Sequence, residues 1–174
     1  HYFMSVDAIL SIEDGTPVIV DGHVDLPFRL WAGRDKDGKP TEDVTKRTEK
    51  GDFDLVRAKE GGLDAPFMSI YTPASKEAYG PPPEFKGAKQ LADELIDLVE
   101  ALEKQAPDRV AIARSPAEVE ANHKKGLISL PLGMENGSPL EGKLENLDHF
   151  HARGVRYITL AHSKDNHLAD SSYE

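Results

Sequence analysis

Short apolar runs recur along this chain, separated by glycine, proline or charged breaks, and between them lie stretches with helical spacing. Ala8-Ile9-Leu10-Ser11-Ile12 and Pro17-Val18-Ile19-Val20 flank Glu13-Asp14-Gly15-Thr16, and Asp-Gly between apolar runs predicts a hairpin. The second run reads as a buried strand that Gly22 ends, delivering His23-Val24-Asp25 to its tip. Residues 28–51, rich in Gly, Lys, Arg, Asp and Thr without periodicity, read as a long solvent-facing loop. A helix is expected over 52–60, closed by Gly61-Gly62, then a buried strand at Ala65-Pro66-Phe67-Met68-Ser69-Ile70-Tyr71. Tyr79-Gly80-Pro81-Pro82-Pro83 interrupts the chain as an irregular loop. Leu91, Leu95, Leu98, Val99 and Leu102 then mark one helical face within 86–105. A strand follows at 110–113, and Ser115-Pro116-Ala117-Glu118 supplies an N-cap, a first-turn proline and a capping-box Glu for a helix ending near Gly126. Residues 127–134 read as a strand interrupted by Pro131, 144–153 as a helix stopped by Gly154, and 155–161 as a strand that ends at His162.

Strands alternating with helices predict an α/β fold with a parallel sheet, either doubly wound or a (β/α) barrel. Neither a G-x-G-x-x-G run nor a P-loop is present, which favours the barrel. Barrel chemistry sits at the C-terminal strand ends, and three predicted strands end there in His23 and Asp25, in Glu135, and in His162. The 174 residues form one domain or part of one, with a lead-in at 1–17 and the barrel segment over 18–174. At 39% apolar and 30% charged, the composition is that of a soluble globular protein without a membrane span. A net charge of −10 argues against nucleic acid as a partner. The absence of cysteine leaves only imidazole and carboxylate to hold any metal. His1-Tyr2-Phe3 ahead of Met4 reads as an added leader rather than a signal peptide, so the compartment stays open between cytoplasm and periplasm.

Residues two apart on a strand share a side, so His23 and Asp25 can reach one point with a ligand pair that suits zinc or another first-row divalent ion. Equally, the carboxylate can serve only to orient the imidazole. Glu135, before the turn pair Asn136-Gly137, is either a ligand at the barrel mouth or a solvated loop carboxylate. His162, ahead of Ser163-Lys164-Asp165-Asn166-His167, is either catalytic or bonded to loop backbone. His123, His149 and His151 read as exposed helix residues, and Asp165 and Asp170 as either partners that fix a histidine tautomer or solvated carboxylates. His167 lies in the loop just after His162 and fits either reading. The basic residues from Arg34 to Lys50 read as solubilising a loop.

Three blocks together carry a likeness: Asp21-Gly22-His23-Val24-Asp25-Leu26-Pro27, Gly133-Met134-Glu135-Asn136-Gly137, and Gly154-Val155-Arg156-Tyr157-Ile158-Thr159-Leu160-Ala161-His162-Ser163, with Ala169-Asp170-Ser171 beyond. In this order they resemble the membrane (renal) dipeptidase family of zinc peptidases. The resemblance implies the N-terminal half of an amidohydrolase-type (β/α)₈ barrel, whose missing C-terminal half supplies two histidines for a second zinc, a further aspartate and a substrate-binding arginine. It implies two zinc ions, with His23 and Asp25 ligating the first, Glu135 bridging both, and His162 binding substrate beside the scissile carbonyl. The implied substrates are dipeptides, some with a D-residue at the C-terminal side; the oligomeric state stays open, a homodimer being one possible assembly. Phe28 stands where the family often has Trp, and Glu135-Asn136-Gly137-Ser138 replaces its Glu-Gly-Gly-His, changes that alter the pocket wall. The alternatives are an inactive binding or regulatory relative, and the same barrel acting on another amide, lactam or lactone.

Overall fold

The computed structural model describes residues 10–11, 17–74 and 87–173. The leader at 1–9, the turn expected at 13–16 and the irregular loop expected at 79–83 lie outside these residues. In chain order the elements are β1 (Leu10–Ser11), β2 (Pro17–Val18), β3 (Val20–Val24), α1 (Leu26–Ala32), α2 (Leu55–Glu60), β4 (Ala65–Tyr71), α3 (Ala88–Gln105), β5 (Val110–Ile112), α4 (Pro116–Lys124), β6 (Ile128–Leu130), β7 (Leu132–Glu135), a 3₁₀ turn at Ser138–Leu140, α5 (Leu144–Ala152) and β8 (Val155–Ile158).

The main sheet runs β3-β4-β7-β8, and every pair in it is parallel. Each strand adds beside the one before it, with no reversal of order. That is how a barrel wall grows, whereas a doubly wound sheet turns back at a switch point. β1 and β2 pair antiparallel, Leu10 opposite Val18, as the hairpin signal required.

β4 is buried along most of its length, Met68, Ser69 and Ile70 being fully enclosed, as expected of a parallel strand covered on both faces. α3 lays Leu91, Leu95, Ile96, Val99 and Leu102 into the same apolar cluster as Met68, Ile70, Leu132 and Met134. Leu95 and Ile96 are completely buried, so truncating either to alanine costs about 2–5 kcal/mol.

Four local expectations are corrected. First, residues 28–32 are helical: α1 has Pro27 in its first turn and buries Leu26, Leu30 and Trp31, an i, i+4 pair plus one that seven residues are too few to reveal as a period. Second, the strand expected over 127–134 is two. Pro131 lacks the N–H a ladder needs; before it β6 pairs with β5, and after it β7 pairs with β4 and β8. Third, Ser115 caps α4 by accepting from the Glu118 N–H at 3.2 Å, but the Glu118 carboxylate reaches back to Arg114 N–H at 2.8 Å instead of closing the box on Ser115. Fourth, the last strand stops at Ile158, so His162 lies in the loop beyond it.

The basic loop also does more than stay soluble. Arg34 stacks over Trp31 at 4.4 Å and pairs with Glu94 on α3, and Arg47 pairs with Glu60. The same loop ends at Asp54, the N-cap of α2, which is fully buried and accepts from Arg57 N–H at 2.8 Å, Thr48 N–H at 3.1 Å and Arg57 Nε at 2.6 Å. Burial opposes its charge, yet these donors outweigh it and hold the carboxyl well below the usual range.

Candidate metal centre

Each member of the site is placed by a different local device. Between Asp21 and Val24 the β3–β4 register slips, three steps on β3 matching two on β4 (Asp21 opposite Pro66, Val24 opposite Met68). Such a bulge re-aims side chains next to it, and His23 lies inside it. Gly22 therefore continues the strand and does not turn it, contrary to expectation. Asp25 is the N-cap of α1 but caps nothing with its side chain; its carboxylate instead faces His23 Nε2 at 3.1 Å. Glu135 is the last residue of β7.

The three converge. His23 Nε2 is 3.1 Å from Asp25 Oδ1 and 3.1 Å from Glu135 Oε2, and one donor atom from each residue falls within 4.8 Å of the others. The other oxygen of Glu135, Oε1, faces His162 Nε2 at 3.2 Å. One carboxylate thus stands between two imidazoles, one on each oxygen. Glu135 is the least exposed of the set at 17% of its side chain, against 41% for His23 and 67% for Asp25, so the cluster opens toward solvent on the Asp25 side.

Hydrogen bonding from Asp25 and then Glu135 raises the His23 imidazole to about 10, against an opposing effect of burial. Asp25 is correspondingly held below the ordinary carboxylate range, chiefly by its bond to His23. Two carboxylates converge on one imidazole nitrogen, an excess of negative charge that calls for a cation. A divalent cation meets that demand with the donor set it prefers, one imidazole nitrogen and carboxylate oxygens. The residues present fit a metal.

Three further residues belong here that the sequence reading passed over. Ser69, buried on β4, donates its hydroxyl to Glu135 Oε2 at 3.0 Å. Tyr157 on β8 crosses to β3, donating to the Gly22 carbonyl at 3.0 Å with its oxygen 3.5 Å from His23 Nδ1. It crosses because residue 133 is glycine: a Cβ there would sit 2.0 Å from the tyrosine ring. Burial, then the charges of Glu135 and Asp25, raise the Tyr157 hydroxyl to about 12, keeping it a neutral donor. Tyr71 packs edge-on to His162 at 5.1 Å and to Phe28 at 5.1 Å. Phe28, expected beside the substrate, is thus a half-buried residue of α1 one ring removed from His162. The alternation of β4 and β8 carries the only signal that points Ser69, Tyr71 and Tyr157 inward.

Other histidines fall elsewhere. His123, expected to be exposed, is half-buried and bonds Asp64 at 2.9 Å. His149 joins Asp93, Lys89 and Arg153 between α3 and α5, while His151 and His167 are exposed. Asp165 accepts from Ser171 N–H at 2.6 Å within its own loop, and Asp170 is exposed. A cavity of about 340 Å³ between α1, residues 40–44 and α3 shares no lining residue with the cluster.

The parallel strands β3 and β7 and the start of α1 bring an imidazole and two carboxylates together on one side of the sheet. The sequence profile of the membrane dipeptidase family (peptidase family M19) matches residues 9–174, and the chain belongs to that family. Dipeptidase aclJ of Aspergillus oryzae is 33% identical over 123 residues, covering 70% of this chain and 29% of the relative. Dipeptidase 3 of Mus musculus is 30% identical over 155 residues, covering 88% and 29%. Among solved structures, the probable dipeptidase PvdM from Pseudomonas aeruginosa matches with a TM-score of 0.72 at 26% identity, over 95% of this chain and 38% of that one. A metallo peptidase from Rhodobacter sphaeroides, liganded with a phosphinate mimic of L-Ala-D-Ala, matches with a TM-score of 0.70 at 27% identity, over 85% and 46%. The chain spans about three tenths of the length of those two curated relatives. Among the described residues no helix is long and apolar enough to cross a membrane.

Proposed function

We propose that the protein carrying this chain is a zinc-dependent dipeptidase, and that His23, Asp25 and Glu135 hold the metal. The observation that carries this reading is the convergence of those three side chains from β3, the start of α1 and the end of β7, in a chain of the membrane dipeptidase family. A bound divalent ion supplies an acidified water as nucleophile and polarises the amide carbonyl.

The chain's own residues do the rest. Ser69 fixes the rotamer of Glu135 by donating to Oε2, leaving Oε1 directed at His162. With one oxygen facing His23 and the other facing His162, Glu135 would be the carboxylate that two ions share. His162, 38% exposed at the rim, donates a hydrogen bond to the oxygen that becomes negative as the amide carbon is attacked. Tyr71 backs that imidazole and Phe28 backs Tyr71, so the aromatic row forms the wall against which a substrate side chain lies. Preference for a D-residue at the C-terminal side is supported by the L-Ala-D-Ala mimic bound to the Rhodobacter sphaeroides relative. Residues 18–174 act in this reading as the first part of the barrel, completed by further chain that supplies the remaining ligands.

The test is metal analysis of the complete protein together with hydrolysis of a dipeptide panel that includes C-terminal D-residues. Stoichiometric zinc and turnover that stops on chelation are expected. Undiminished hydrolysis in metal-free protein would remove the reading.

A further inference from the structure

Directly after Glu135 sits a buried amide that the proposed chemistry leaves unused. Asn136 is fully buried and has φ +74°, a left-handed conformation that asparagine tolerates better than most residues bearing a Cβ. Its side chain ties together separate pieces of chain. Nδ2 donates to the Thr72 carbonyl, just past β4, at 2.7 Å. Oδ1 accepts from Ser138 N–H at 3.2 Å, from the Ser138 hydroxyl at 2.9 Å and from Asn166 Nδ2 at 2.7 Å. The Asn136 N–H donates to Thr159 Oγ1 at 2.9 Å. Turning the amide over would set its NH₂ against the Ser138 and Asn166 N–H donors and its oxygen against a carbonyl, so the partners fix its orientation.

Asn166 extends the clamp. Its Nδ2 also donates to the Leu160 carbonyl at 2.7 Å, and its Oδ1 accepts from Leu168 and Ala169 N–H at 2.7 and 3.2 Å. Past the end of β8, backbone bonds to the β7 side continue only briefly, Thr159 N–H to the Met134 carbonyl at 3.0 Å and Gly137 N–H to the Leu160 carbonyl at 3.3 Å. The segment between Leu160 and Asn166 carries His162. Asn166 closes one end of it and holds the Leu160 carbonyl at the other, the Ser171 hydroxyl donates to the His162 carbonyl at 2.9 Å, and Asn166 is itself gripped by Asn136.

We propose that Asn136 is a positioning residue: by clamping residues 159–169 onto the ends of β4 and β7, it fixes His162 against Glu135. The assignment rests on the reading of His162 as the substrate-facing donor, but the clamp itself is measurable without it. Glycine at 136 keeps the backbone conformation and removes every side-chain bond, which separates the clamp from the turn.

In the complete, metal-loaded protein, Asn136→Gly should lower kcat/KM for a dipeptide about 10- to 100-fold with metal content unchanged. Combined with His162→Ala it should be no slower than His162→Ala alone, because the second change has nothing left to position. Amide hydrogen exchange should rise across 160–169 while β4 and β7 stay protected. Asn166→Ala, which cuts the clamp without touching the left-handed turn, should give the same non-additivity. Multiplicative losses in either double variant, or unchanged exchange across 160–169, would overturn the proposal. Raised exchange in a protein whose wild type hydrolyses no dipeptide would leave the clamp standing and remove the dipeptidase reading instead.

Discussion

His23 sits inside β3 and Asp25 at the first position beyond it, so strand, bulge and helix cap place both side chains through backbone ladders. His162 reaches the same carboxylate from a loop, four residues past Ile158 where β8 ends. The first half of the site is placed by backbone pairing. The second is held by side-chain hydrogen bonds, which cost little to remake and which a single substitution can release. On the proposed roles, metal retention and substrate positioning fall to different physical means, and they should fail separately.

Removing the shared member should do the most damage. Glu135→Ala takes a carboxylate from between His23 and His162 and is expected to lower kcat/KM by about 10³-fold or more, with loss of metal, checked by elemental analysis and dipeptide hydrolysis. Equal activity with full metal content would separate Glu135 from the chemistry. His23→Ala tests the first half alone. Apparent zinc affinity, measured by chelator competition, should fall at least about 100-fold. His162→Ala tests the other half: kcat/KM should drop about 100-fold, as for the loss of one oxyanion donor, while zinc affinity stays within twofold of wild type. If both variants lose metal alike, the division between the halves is wrong.

Smaller effects sharpen the same division. Ser69→Ala and Tyr157→Phe each remove a hydrogen bond to a ligand or to the strand beside it, and each should weaken zinc by about tenfold. The smallest effect at the site is expected from Asp54→Ala, which instead destabilises the fold by about 2 kcal/mol through loss of the α2 cap and two further donors' acceptor. Because the folded Asp54 carboxyl titrates below its unfolded value of about 3.9, its contribution is complete above that pH and is lost as pH falls further. Acid unfolding curves of wild type and variant should converge at low pH and separate above it.

The parallel α/β course and most element positions were legible because periodicity and glycine or proline stops are local. α3 and β4 match their predicted spans within two residues. His23, Asp25 and Glu135 were legible for the same reason, as polar residues at the tips of apolar runs. What escaped was set by distant chain. α1 is apolar but for Arg29 and too short to show a helical period, so only contacts with α3 and β4 define its buried side. Pro131 marked a break, but not that the strand changes partner there. Ser69, Tyr157 and Asn136 look like an ordinary strand serine, strand tyrosine and turn asparagine until β4, β7 and β8 are set side by side.

The most direct measurement is anomalous diffraction at the zinc edge from crystals of the zinc-loaded protein. An ion at coordination distance, about 2.0–2.2 Å, from His23 Nε2 and from carboxylate oxygens of Asp25 and Glu135 is the predicted result. Zinc bound away from these three residues, with their side chains left as His23–Asp25 and His23–Glu135 pairs, would contradict the account.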